Sequence, residues 1–105
     1  MKEELAGLLK KYEPLGQWEA GELLLRPADA LRLADDLLAI GVSIWGVDIW
    51  YRAPSGIAED PSCLDFSAAV GPEWPIERVL NEAKRFIEDR LPPHIELVSF
   101  VLRND

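Results

Sequence analysis

Apolar residues recur along the chain with two different periods, and each change of period marks a boundary between elements. Leu5, Leu8, Leu9 and Tyr12 share one helical face, with Glu3 and Glu4 at its start and Lys10 and Lys11 at its end, charges that complement the helix dipole. Glu13-Pro14-Leu15-Gly16 stops this first helix. From Gln17 to Arg26 the pattern is ambiguous: Trp18 is an isolated aromatic, Gly21 breaks continuity, and Leu23-Leu24-Leu25 fits either a short strand or a direct lead into the next helix.

A second helix opens at Pro27, with Asp29 in its first turn and one apolar stripe formed by Ala30, Leu33, Ala34, Leu37 and Leu38; Gly41 ends it. The period then shortens. Gly41 to Arg52 reads GVSIWGVDIWYR, a run of β-branched and aromatic residues that predicts a strand over Val42 to Arg52. Strict alternation puts Trp45, Val47 and Ile49 on one face, predicted to be core, and Gly46, Asp48 and Trp50 on the other. Trp50 is accordingly expected to be exposed or partly exposed beside Asp48, unless both faces are covered and both rings buried. A carboxylate in such a strand is costly to bury alone, so Asp48 needs a partner or a functional reason.

Ala53 to Ser62 contains Pro54, Ser55, Gly56, Glu59, Asp60 and Pro61 and reads as an acidic, turn-rich connection, followed by a short strand over Cys63 to Val70. Together they predict a hairpin with a long negative tip. Gly71-Pro72-Glu73-Trp74-Pro75 breaks the chain again. Pro75 and Glu77 then open the strongest helix, with the stripe Ile76, Val79, Leu80, Ala83, Ile87 and Leu91, ended by Pro92-Pro93. Ile95 to Leu102 is apolar on both faces apart from Glu96 and Ser99, as in an inner strand covered on both sides, or covered on one and shielded on the other. The expectation is one α+β domain over residues 1–105, a small two-layer fold with three or four mainly antiparallel strands and helices packed largely on one face.

A chain of 105 residues can bury a single core without a metal or disulfide staple. Nineteen acids against eleven bases give a net charge of -8, a field that repels phosphate backbones and attracts basic surfaces, so a basic protein is the complementary partner and nucleic acid is not. Met1-Lys2-Glu3-Glu4 lacks the apolar segment of a signal peptide, and no apolar run approaches the ~20 residues of a membrane span. With Cys63 the lone cysteine, the chain reads as cytoplasmic.

Candidate chemistry is sparse. Cys63 and His94 are the obvious nucleophile and base, but nothing in the spacing brings them together, and two such residues are too few for zinc. No glycine-rich phosphate loop occurs, and no cofactor is expected. Acids are plentiful, and a site built from Asp48, Asp65 and Glu59 or Asp60 is conceivable because neighbouring strands set side chains about 5 Å apart. That defines an enzyme alternative, a small acidic hydrolase or lyase using Asp48 and Asp65, against the leading expectation of a protein that is not an enzyme and acts by binding.

The order of a helix ending in glycine, a strand carrying Gly46-Val47-Asp48-Ile49-Trp50, an acidic turn, a short strand, a long helix and a closing strand resembles family forty of the bacterial polymorphic-toxin immunity proteins. The resemblance is best over Ala30 to Tyr51 and loose from there to Arg90. The family's hallmark is a Gly-Gly-Asp-Val-Tyr-like strand; here Val47 replaces the second glycine and Trp50 the tyrosine, and Leu64-Asp65-Phe66 stands where the family tends to have an aromatic pair. The resemblance implies cytosolic binding and neutralisation of a cognate toxin protein. On that reading the contact surface comprises Asp48, Trp50, Tyr51, Glu59, Asp60 and Asp65. A third possibility is a self-associating domain, a homodimer paired through a strand edge.

Overall fold

Gly41 organises the middle of the chain. It adopts the left-handed conformation at φ 72° and ψ 29°, and its N–H and that of Val42 donate to the carbonyls of Leu38 and Leu37, closing the preceding helix in a Schellman motif. The computed structural model describes residues 2–66 and 73–103. In chain order the elements are α1 (Lys2–Tyr12), a 3-10 turn (Glu13–Leu15), β1 (Gln17–Glu19), β2 (Glu22–Leu24), α2 (Pro27–Ile40), β3 (Ser43–Ala53), β4 (Gly56–Asp65), α3 (Ile76–Asp89) and β5 (Leu97–Arg103). The result is a small α+β domain with all strand pairs antiparallel. Among the described residues no helix is long and apolar enough to cross a membrane.

The main sheet has the order β4-β3-β5, and β1 and β2 form a separate hairpin. The ambiguous Gln17–Arg26 segment is thus a hairpin, turned by Ala20 and Gly21, both at positive φ. Its end is fastened to the sheet, because Leu25 and Val98 exchange both backbone hydrogen bonds at 2.8 Å. One face of the sheet is closed by α2 and α3. There Ile44, Val47 and Ile49 of β3 and Val98 and Phe100 of β5 meet Leu33, Ala34 and Leu37 of α2 and Val79, Leu80 and Ala83 of α3. Tyr12, 1% exposed, anchors α1 to α2 by donating its hydroxyl to Asp36 Oδ2 at 2.6 Å. Burial and that bond push the phenol up to about 12. Leu38, placed in the α2 stripe by periodicity, lies at its exposed edge.

Three sequence expectations are corrected. First, the acidic stretch Glu59-Asp60 is not a loop tip: the connection is a tight turn at Pro54 and Ser55, and the stretch belongs to β4. Pro61 is accommodated because β4 is an edge strand and its register shifts there, Val47 pairing with Leu64 while Ile49 pairs with Asp60. Of the predicted strand Cys63 to Val70, residues 67–70 lie outside the described residues, as do Gly71 and Pro72.

The other two corrections have a common cause. A second bulge, between Ile44 and Gly46 on the β5 side, interrupts the alternation of β3 at Trp45. Ile44 therefore joins the core with Val47 and Ile49, while Trp45 is half-buried and lines the other face. Trp50 is not exposed either. It is 6% exposed and packs with Leu24, Leu97 and Ile57 in a second, smaller apolar cluster, because β2 folds over that end of the sheet and covers the ring.

Candidate functional site

The face of the sheet turned away from α2 and α3 carries the chain's concentration of chemistry. Antiparallel register sets Asp48 of β3 opposite Ser99 of β5, Trp50 opposite Glu59 of β4, and Gly46 opposite Asp65. Onto this row β2 brings Glu22. Trp50 donates its indole N–H to Ser99 Oγ at 2.9 Å, and Ser99 donates its hydroxyl to Glu22 Oε1 at 2.7 Å. Ser99 is 1% exposed, so both of its hydrogen-bonding roles are filled inside the fold.

Glu22 and Glu59 both lie within hydrogen-bonding reach of Asp48. Two carboxyl groups bond to each other only by sharing a proton, and burial favours Glu22 as its holder. Burial, followed by the bond and the charge of Asp48, pushes the Glu22 carboxyl up to about 7, against the opposing pull of the Ser99 hydroxyl. Burial and then the charge of Asp48 likewise raise Glu59. The partner that Asp48 was expected to need is therefore a pair of further acids. No signal in the ambiguous segment identifies Glu22 as a member, because its position depends on how the hairpin folds back over β5.

Beside this cluster runs a shallow groove of about 230 Å³ lined by Trp45, Gly46, Asp48, Cys63, Asp65 and Val101. The glycine is required by the fold: a Cβ at Gly46 would lie 2.5 Å from the carbonyl oxygen of Leu64. At the groove's end the Arg103 guanidinium lies 4.5 Å from the Trp45 ring centroid. Cys63 is an exposed residue of β4; partial desolvation of its thiol, then the charge of Asp48, raises its pKa, so the thiolate is disfavoured there. Among the described residues no three His, Cys, Asp or Glu side chains are placed to hold a metal ion.

The remaining candidates form a different constellation. His94 Nε2 is 2.7 Å from Asp60 Oδ2, and Asp60 Oδ1 accepts the Ser62 backbone N–H at 2.8 Å. That backbone bond, and then His94, hold the Asp60 carboxyl below the usual range. Tyr51 meets the His94 ring edge-on at 5.4 Å. Asp60 pairs in register with Ile49, which places it on the sheet face opposite Glu59 and Asp48. The six predicted contact residues are thus divided: Asp48, Glu59 and Asp65 share one face, Tyr51 and Asp60 sit with His94 on the other, and Trp50 is an internal strut. Cys63 and His94 are not brought together.

The chain matches no protein-family model, no curated protein and no solved structure.

Proposed function

We propose that this chain acts by binding a basic protein, and specifically that it is an immunity protein that neutralises a cognate toxin in the bacterial cytoplasm. The observation that carries the reading is the acidic sheet face, where Glu22, Asp48 and Glu59 crowd together and Asp65 adjoins them. Crowded carboxyls raise one another's pKa, and an incoming lysine or arginine relieves that repulsion, so this face gains more from a cation than scattered surface acids would. The net charge of -8 adds long-range attraction for the same partner. The resemblance of the β3 region to polymorphic-toxin immunity proteins supplies the class of partner.

The test is to identify the adjoining reading frames, and to co-express the chain with any C-terminal domain they encode that is toxic when produced alone. Wild-type chain restores growth and co-purifies with that domain, and the exposed charge reversals Glu59→Lys and Asp65→Lys together weaken both effects while the fold persists by circular dichroism. Unrestored growth with the chain soluble and folded, or no complex between the purified proteins, overturns the reading.

A further inference from the structure

The outer edge of β5 is covered only in part. Leu25 exchanges both backbone bonds with Val98, which shows that the N–H and C=O of Val98 point to the outer edge. Alternation along β5 turns those of Phe100 and Leu102 the same way. Beyond Leu25, however, the hairpin leaves the sheet plane: β2 pairs with β1 instead, and no described strand pairs with the outer edge of β5 at Phe100 and Leu102. The divergence opens an apolar cavity of about 320 Å³ lined by Leu9, Trp18, Leu23, Leu33, Phe100 and Leu102, with Glu22 and Gly21 also on its wall. Trp18 stands at 46% exposure, among the most exposed large apolar side chains of the described residues.

An open strand edge with an apolar wall on each side is the geometry of strand addition, in which main-chain bonds supply affinity and alternate side chains enter pockets. Charge selects the occupant. Glu22 lines the cavity, Glu13 Oε2 accepts the Trp18 indole N–H at 2.9 Å, and Glu19 follows Trp18 in β1. The nearest cation along β5, Arg103, lies against Trp45. A second copy of a chain with net charge -8 would bring acids to acids.

We propose that the β5 edge and this cavity receive an extended segment of the protein partner in which apolar and basic residues alternate, pairing with Phe100 and Leu102 and directing a cation toward Glu22. This rests on the reading of the chain as a binding protein, but not on the partner being a toxin. One set of the segment's side chains enters between Trp18, Leu23 and Leu33. The backbone requirement predicts that the segment binds as a strand and not as a helix.

Two end-labelled, capped decapeptides serve as probes, one alternating valine with lysine and one alternating valine with glutamate, and binding is read by fluorescence anisotropy. The lysine peptide binds saturably and perturbs the backbone amide resonances of Phe100 and Leu102, whereas the glutamate peptide does not bind. Trp18→Ala, at an exposed position, and Leu102→Pro, which removes an outward N–H and leaves the β3 ladder its donors, each weaken binding about tenfold, equivalent to ~1.4 kcal/mol. Both variants are first shown to be folded by circular dichroism. Absence of binding by the lysine peptide overturns the proposal, as does binding that both variants retain in full. A concentration-dependent dimer of the chain that Leu102→Pro abolishes overturns it too, by assigning the edge to a second copy. The peptide result is independent of growth rescue: rescue without peptide binding removes this inference alone, and peptide binding without rescue removes the immunity reading alone.

Discussion

Trp50 Nε1 donates to Ser99 Oγ at 2.9 Å, joining two residues 49 positions apart in the chain on neighbouring strands. The bond fixes the indole and at the same time fixes the hydroxyl that holds Glu22. A side chain expected to be exposed is instead a buried strut between β2 and the sheet.

Truncation of the two β3 tryptophans should therefore separate them. Trp50→Ala empties the cluster with Leu24 and Leu97 and leaves Ser99 without its donor, an expected loss of ~3–5 kcal/mol. Trp45→Ala removes a half-buried ring and its contact with Arg103, an expected loss below about 2 kcal/mol. Urea denaturation of both variants checks the order, and a larger loss at Trp45 would contradict the bulge that displaces it from the core.

Stability should fall as pH rises through the range in which Glu22 ionises. Its pKa is about 7 in the folded chain against 4.5 for an unhindered glutamate, so between those values the folded state holds a proton that the unfolded state releases. Stability contributed by protonated Glu22 is complete below about 4.5 and is lost as pH approaches and passes about 7. The opposite dependence, stability lost on acidification, belongs to Asp36 and Asp60, whose pKa values are lowered and whose window lies below the ordinary aspartate value of 3.8. Thermal melts at pH 5 and pH 8 should show the decline in wild type and a flatter profile in Glu22→Gln.

Gly46→Ala should destabilise the chain out of proportion to one methyl group. The obstacle is the Leu64 carbonyl, a backbone atom that moves only if β4 moves with it, and the expected cost is ~1–3 kcal/mol. Gly7→Ala is the matched control. It lies within α1 with nothing within 4 Å of the added carbon, and should stabilise the helix by ~0.5–1 kcal/mol. Melting temperatures of the two variants moving in the same direction would count against the close approach of β3 and β4.

Association with the partner should depend on ionic strength through its on-rate. At physiological salt the screening length is ~8 Å, so the field of the acidic face reaches little beyond first contact, whereas at 0.01 M it extends ~30 Å. Stopped-flow measurement should show the on-rate falling about tenfold or more between those conditions while the off-rate changes little. An on-rate indifferent to salt would assign the acids to solubility.

Much of the architecture was legible in the chain because it depends on local period and punctuation. The α2 and α3 stripes, the stop at Gly41 and the run from Ser43 follow from spacing and from residues that can adopt one conformation and not another. The orientation of the two tryptophans was not legible, because alternation holds only while a strand is regular, and a bulge arises from pairing with a distant strand. Glu59 and Asp60 carried turn chemistry that the sheet overrode, with the register shift at Pro61 absorbing the residue that cannot donate. Of the acidic cluster, Asp48 announced itself as an anomalous carboxyl. Glu22 did not, since its place is set by Leu25 pairing with Val98, 73 positions farther along the chain.

Leu24 and Leu25 are successive residues, 0% and 1% exposed, that point to opposite sides of the sheet and enter different apolar clusters. A single peptide unit therefore acts as a rivet through the sheet. Swinging the hairpin that carries Glu22 aside as a lid withdraws Leu24 from its cluster with Trp50 and breaks the Ser99–Glu22 hydrogen bond, and a larger movement that includes Leu25 also breaks both bonds to Val98. The acidic face is thus braced from within by both apolar clusters, which lowers the ordering cost of anything that binds there.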